Sequence, residues 1–231
     1  MNLTVYLLRH GKTVREEPWR FLGQRDAPLS DAGREQMRCW REELSGLDFA
    51  GAWCSDLARC RESAGLVLAG RGLEVRPVAG LREISLGEWD GLSVDEVRQR
   101  YPGLYEARGA DIAGFRPPGG ECFAGLSERT RRAFEDILRE AALLQPRLAE
   151  GPREAQPGAG EANILLVAHA GVNRALICGL LGIPLERLFS LGQDHGCLNV
   201  LRFGDGRPVL LSLNRRACGE NGPVSLKARS R

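Results

Sequence analysis

Three histidines stand in this chain of 231 residues, and two of them share one local setting. His10 follows the apolar run Leu3 to Leu8 and Arg9, and Gly11 comes next. His169 follows the apolar run Ile164 to Val167 and Ala168, and Gly171 lies two residues on. Short continuous apolar runs read as buried strands, and open α/β sheets put their chemistry at the carboxyl ends of strands. If both strands lie in one parallel sheet, both histidines emerge at the same edge with their imidazoles facing. A histidine held rigidly there could be a nucleophile toward phosphorus, and the Arg9 guanidinium could hold two phosphoryl oxygens. Gly11 would let the backbone turn away without blocking access. A lone Arg-His-Gly could equally be a satisfied core histidine. The repetition of so rare a residue at a second strand end favours chemistry.

Arg59 adds a further cation. It falls in the first turn of a predicted helix, after Ser55-Asp56-Leu57-Ala58, and helix N-termini attract anions. In an arginine-rich chain, a solvated helix arginine is the alternative. The third histidine, His195, follows Gln193-Asp194 ahead of the last predicted strands. It reads as a rim or substrate contact, or as structural.

The elements that must position these groups alternate along the chain. The pattern predicts strands over Leu3 to Leu8, Gly51 to Cys54, Glu74 to Val78 and Ile164 to Val167, with a terminal hairpin over Val200 to Phe203 and Pro208 to Leu213. Helices are predicted from Asp31 to Leu44 with Ser30 as cap, from Leu57 to Ala69 capped by Ser55 or Asp56, from Ser93 through Gln99, from Glu121 to Leu144, and after Gly171 through Leu181. Leu81 to Gly91 is loop-like, and Gly103 to Gly120 reads as irregular. Strands alternating with helices predict an α/β fold, a mainly parallel sheet with helices on both faces. It would form one domain over residues 1–214, with a cap segment over about 81–120, a mobile excursion over 145–162 and a tail over 215–231.

Composition bounds the function. The formal net charge is +2 and only two lysines occur, Lys12 and Lys227. This charge leaves no footprint for nucleic acid or for a membrane surface. No apolar run approaches membrane-spanning length. The seven cysteines are scattered, without a C-x-x-C pair, which argues against a disulfide framework and a structural zinc site. Reduced thiols and a start lacking signal-peptide features predict a cytoplasmic protein.

Five blocks stand in a telling order: Leu8-Arg9-His10-Gly11; Ser55-Asp56-Leu57-Ala58-Arg59; Leu81-Arg82-Glu83-Ile84 with Leu86-Gly87-Glu88-Trp89-Asp90-Gly91; Pro118-Gly119-Gly120-Glu121; and Ala168-His169-Ala170-Gly171. Together they resemble the histidine phosphatase superfamily, which is phosphoglycerate-mutase-like, over about Leu3 to Phe203. The resemblance implies that His10 is the nucleophile that becomes phosphohistidine. Arg9, Arg59 and His169 would bind the phosphoryl group, beside Ala170 and Gly171. Glu83 would give a proton to the leaving oxygen, with Glu88 as the competing candidate and an ion pair with Arg82 as the bland alternative. Phosphoryl transfer asks mainly for positioning and for stabilisation of charge on the equatorial oxygens, which fits this set. Neighbouring cations should lower the pKa of His10 and keep it neutral. No metal and no cofactor are implied.

Gly23-Gln24-Arg25-Asp26 with Pro28-Leu29-Ser30 resembles the family's substrate-side loop, so Gln24 and Arg25 are candidate binders. Lys12 and Glu16 stand where many members have an acid and an asparagine, and Cys122 replaces a frequent serine. The segment from Leu86 to Gly120 resembles that of small-molecule phosphatases, and the motif style is similar to the α-ribazole phosphatases of cobalamin assembly. The expectation is a phosphomonoesterase acting on a small phosphorylated metabolite, with a homodimer as an open assembly. A phosphoglycerate mutase, a phosphate-binding module without turnover and a phosphoprotein phosphatase are the alternatives.

Overall fold

A computed structural model describes residues 2–14, 18–148, 161–204 and 207–217. Its elements are β1 (Asn2–Arg9), α1 (Asp31–Glu43), β2 (Phe49–Cys54), α2 (Ala58–Val67), β3 (Val75–Pro77), α3 (Val94–Arg100), α4 (Leu104–Ala110), α5 (Phe123–Leu148), β4 (Glu161–Ala168), α6 (Ala170–Leu181), β5 (Leu198–Phe203) and β6 (Val209–Arg215). Short 3-10 turns cover Ala79–Leu81, Gly87–Trp89 and Leu185–Ser190. Among the described residues, no helix is long and apolar enough to cross a membrane.

The six strands form one sheet in the order β3-β2-β4-β1-β5-β6. β1, β2, β3 and β4 pair in parallel, and β5 runs antiparallel to both of its neighbours. The centre of the sheet is buried on both faces because the runs Val5 to Leu8 of β1 and Ile164 to Ala168 of β4 are continuously apolar, and the period-two alternation deals their side chains to two cores. Leu3, Val5 and Leu7 join Ile164, Leu166 and Ala168 in a core under α5 and α6. Tyr6 and Leu8 join Leu165 and Val167 in a second core with Met37 and Trp40 of α1 and Ala64 and Val67 of α2. This is the predicted α/β architecture.

Three local expectations are corrected. α2 starts at Ala58, and neither Ser55 nor Asp56 caps it in the usual way. Asp56 is held by Arg82 through two bonds, Nε to Oδ1 at 2.7 Å and Nη2 to Oδ2 at 2.6 Å, and the Ala58 N–H donates instead to Asp26 Oδ1 at 2.9 Å. The segment read as irregular contains α4, which starts behind Gly103 in the left-handed conformation (φ 77°), a backbone state open to glycine. The excursion over 145–162 is shorter than expected, since α5 runs to Leu148 and β4 begins at Glu161. The rest of it, Glu16, and the tail beyond Ala217 lie outside the described residues.

Candidate active site

β1 and β4 lie side by side in register, with Arg9 opposite Ala168, so His10 and His169 leave the sheet together. Their ring centroids are 5.2 Å apart at an interplanar angle of 61°, edge to face rather than face to face. Gly11 is needed for a different reason from the one its place in the sequence suggests. A Cβ there would stand 2.5 Å from the carbonyl oxygen of Gly33 in α1, so close packing demands it rather than a turn.

His10 is 3% exposed. Its Nδ1 lies 2.8 Å from the Gly11 carbonyl oxygen, which can only accept, so Nδ1 carries the proton and Nε2 keeps its lone pair. Burial, and then the Arg9 and Arg59 guanidiniums, push its pKa well below the ordinary histidine value. The neutral, nucleophilic form is therefore the resting one. His195 packs on the other side of His10, with ring centroids 5.6 Å apart, and its Nε2 is 3.3 Å from Arg9 Nη2.

Arg9 is fixed by Nη1, which donates to the Gln193 carbonyl at 2.5 Å, while its buried Nε has no partner among the described residues. Gln193 is anchored in turn by Asn173 and Asn199, at 3.0 and 2.7 Å. Nothing in the sequence marks these three amides. Arg59 is 1% exposed. Its Nη1 and Nη2 donate to the carbonyls of Arg25 (2.7 Å) and Gly23 (2.8 Å), and its Nε donates to His169 Nδ1 at 3.3 Å. A solvated helix arginine is thereby excluded.

His169 stands behind the pocket wall. Because Nδ1 accepts from Arg59, the neutral ring carries its proton on Nε2, which donates to Ser55 Oγ at 2.9 Å. Burial, then Arg59 and His10, hold its pKa well below the usual range. In this structure His169 orients Arg59 and backs His10. Ser63 is a further group the sequence did not mark: its Oγ accepts from the Gly11 N–H at 3.1 Å.

Glu83 enters from the loop after β3. Its oxygens accept from the N–H groups of Ile84 (3.0 Å) and Gly171 (3.2 Å). A Cβ on Gly171 would overlap Glu83 Oε1. Arg129 of α5 braces the loop, donating to the carbonyls of Gly80 at 2.9 Å and Arg82 at 3.1 Å. Gln24 does not line the pocket; its Nε2 donates to the Glu83 carbonyl at 2.9 Å. Glu88 is exposed and takes the Tyr101 hydroxyl at 2.7 Å, and Arg82 belongs to Asp56, so Glu83 alone of these acids faces the site. Lys12 is exposed with no part in the pocket. Cys122 does a serine's work, its Sγ accepting from the Gly125 N–H at 3.4 Å.

Arg9, His10, Arg59, Glu83 and His195 border one pocket of about 260 Å³, with Arg25, Ala170 and Gly171 on its wall. A neutral histidine at its base, two guanidiniums beside it and a carboxyl group facing them can hold a tetrahedral anion and exchange a group with it. Among the described residues, no cluster of three or more His, Cys, Asp or Glu is placed to bind a metal ion.

A family model of the histidine phosphatase superfamily, branch 1, matches residues 5–216. The chain belongs to that superfamily. This histidine phosphatase is 30% identical to the adenosylcobalamin/alpha-ribazole phosphatase of Escherichia coli over 217 residues, 94% of this chain and 98% of that one. It is also 30% identical to the glucosyl-3-phosphoglycerate phosphatase of Mycolicibacterium vanbaalenii, over 94% of this chain and 87% of that one. Among solved structures, the alpha-ribazole phosphatase of Shigella flexneri superposes with a TM-score of 0.79 at 30% identity, covering 95% of this chain and 100% of that one. The resemblance read from the five sequence blocks is borne out. So is the enzyme class: this is a phosphoric monoester hydrolase.

Proposed function

We propose that this histidine phosphatase hydrolyses a small phosphorylated metabolite through a phosphohistidine on His10, without metal. The observation that carries the reading is the His10 ring. It is neutral, with Nδ1 tied to the Gly11 carbonyl and Nε2 free, at the base of a pocket lined by Arg9 and Arg59. Nε2 attacks phosphorus, and the bond to the ester oxygen breaks. Glu83 gives its proton to that oxygen. The two arginines hold the phosphoryl oxygens as charge moves onto them. Glu83, now a carboxylate, takes a proton from the water that attacks the phosphohistidine, releasing phosphate and restoring both groups.

The depth of His10 favours a small substrate over a protein. Two starting candidates come from the relatives' names: α-ribazole 5'-phosphate and glucosyl-3-phosphoglycerate. The six described cysteines are all free, which supports a cytoplasmic enzyme.

The test is phosphate release from aryl phosphates with good and poor leaving groups, in chelator, by wild type, His10→Ala and Glu83→Gln. Activity that survives the chelator and is abolished in His10→Ala is expected. Glu83→Gln should slow the poor leaving group far more than the good one. Dependence on metal, or activity persisting in His10→Ala, overturns the phosphohistidine route. Equal slowing of both esters overturns the role of Glu83. Transfer to an acceptor alcohol outrunning phosphate release would make the enzyme a mutase.

A further inference from the structure

The pocket has a second set of cations that phosphoryl transfer does not use. Arg108 on α4 and Arg174 on α6 line it together with Phe123, at the start of α5, and Phe189 in the last 3-10 turn. Phe189 is 49% exposed. The Arg174 guanidinium carbon lies 5.3 Å from its ring centroid and that of Arg108 lies 6.0 Å away. Phe123 meets Phe189 edge-on, with centroids 5.6 Å apart, and Arg108 is 5.9 Å from the Phe123 centroid. Four elements thus converge on one ring with two guanidiniums beside it.

Neither guanidinium has a carboxylate partner among the described residues. Among the described residues Arg174 donates one bond, from Nε to the Leu191 carbonyl at 2.8 Å, with no acceptor for its two terminal nitrogens, and Arg108 donates none. Both are partly buried, and burial is the main cause lowering the pKa of each. Arg20, Arg34, Arg82, Arg98 and Arg129, by contrast, all hold acids. Desolvated cations without a counter-ion are costly unless a partner arrives. The packed aromatic faces keep each fork fixed while leaving its N–H edge free.

We propose that Arg108 and Arg174 form a second anion subsite, which binds a carboxylate carried by the substrate at a distance from its phosphate. The preferred substrates are then phosphorylated carboxylic acids. This rests on the phosphatase reading of the inner pocket, where Arg9, Arg59 and His10 take the phosphoryl group. The subsite suits a carboxylate because a guanidinium fork matches that planar group through two parallel bonds. Both arginines stand inside their helices, away from the N-terminal amides that typically cradle phosphate. A phosphomonoester lacking a second anion, α-ribazole 5'-phosphate included, leaves both cations unpaired and ranks behind.

The test uses two ligand pairs that differ only in a carboxylate: 3-phosphoglycerate against glycerol 3-phosphate, and the longer 6-phosphogluconate against sorbitol 6-phosphate. Binding to the full-length His10→Ala protein is measured by calorimetry, with and without Arg108→Gln. At least one acid should bind about tenfold more tightly than its alcohol, the discrimination worth one charge-assisted bond. Arg108→Gln should bring that ratio close to one. Equal binding within both pairs overturns the proposal, as does an Arg108→Gln loss that is the same for acid and alcohol. Phosphate release by the wild type is read separately. Discrimination without turnover would sink the phosphatase reading and leave the subsite standing; turnover without discrimination would sink the subsite alone.

Discussion

His10 and His169 are held neutral for the same reason: each is buried, with the Arg59 guanidinium, and for His10 also Arg9, close by. This links the chemistry to stability. A histidine in the unfolded chain takes a proton near its ordinary value of about 6.5, whereas these two take theirs only at lower pH. Between those values the unfolded state binds more protons than the native state, so stability falls as pH falls. Above the ordinary value neither histidine contributes any pH dependence. The expected slope is about 1.4 kcal/mol per pH unit for each histidine below about pH 6.5. Urea unfolding at pH 7.5, 6.5 and 5.5 should show the wild type losing more stability than His10→Gln over the lower interval, with parallel curves above it. Parallel curves throughout would show that His10 is not held neutral. That His10 and His169 come together was legible because histidine is rare here and because two strand ends repeat. The neutrality of His10 was expected from its neighbouring cations, but which ring nitrogen carries the proton was not legible, since that depends on the Gly11 carbonyl and on Arg59 reaching His169 across 110 residues of sequence.

At the scale of elements, the site depends on how closely β1 and α1 approach. Ser30 caps α1 by accepting from the Gly33 N–H at 3.1 Å, and its own N–H donates to the Lys12 carbonyl at 2.9 Å. A Cβ on Gly33 would overlap that same carbonyl. Gly33→Ala must therefore push the loop that carries His10. It is expected to cost about 1–3 kcal/mol of stability, as overpacking does, and, on the proposed mechanism, to lower turnover by roughly 10²-fold by displacing His10. Gly65 is the control. It sits on the exposed side of α2 with open space around its Cβ position, so Gly65→Ala should stabilise by about 0.5–1 kcal/mol and leave turnover unchanged. Thermal unfolding and steady-state rates on both variants check the contrast. Caps such as Ser30 at α1 and Ser93 at α3 follow from local spacing and were readable, while the return bond to Glu96 was not read. The cap of α2 was not, because Asp26 reaches it from a loop 32 residues earlier. Nor was α4, where Pro102 and Gly103 read as a break although the glycine's positive φ starts a helix.

Across the whole molecule, the pocket is assembled from segments far apart in sequence. Arg9 and His10 leave β1, the Gly23 to Asp26 loop is pinned by Arg59, Glu83 hangs from a loop braced by α5, and Gly171 opens α6. The parallel pairing of β1 with β4 was legible and explains why the two histidines meet. The Gln193, Asn173 and Asn199 amides that steady Arg9 were not, because such a network exists only once three elements have packed. Because no one segment makes the site, a ligand that fills it should bind the segments to one another. Inorganic phosphate binds the native state alone, so at one hundred times its Kd it should add about 2.7 kcal/mol of stability. In a domain of this size that corresponds to a rise in Tm of roughly 5–10 °C. Hydrogen exchange should slow together at Arg9 to Thr13, Gly23 to Asp26, Glu83 to Gly91 and Ala170 to Arg174. The outer part of the edge strand β6, Val209 to Ser212, none of which lines the pocket, should be protected no more than the global stabilisation requires. If slowing were confined to one of those segments, the phosphate would be resting on a local cation, and the convergence of these elements would not be what builds the binding site.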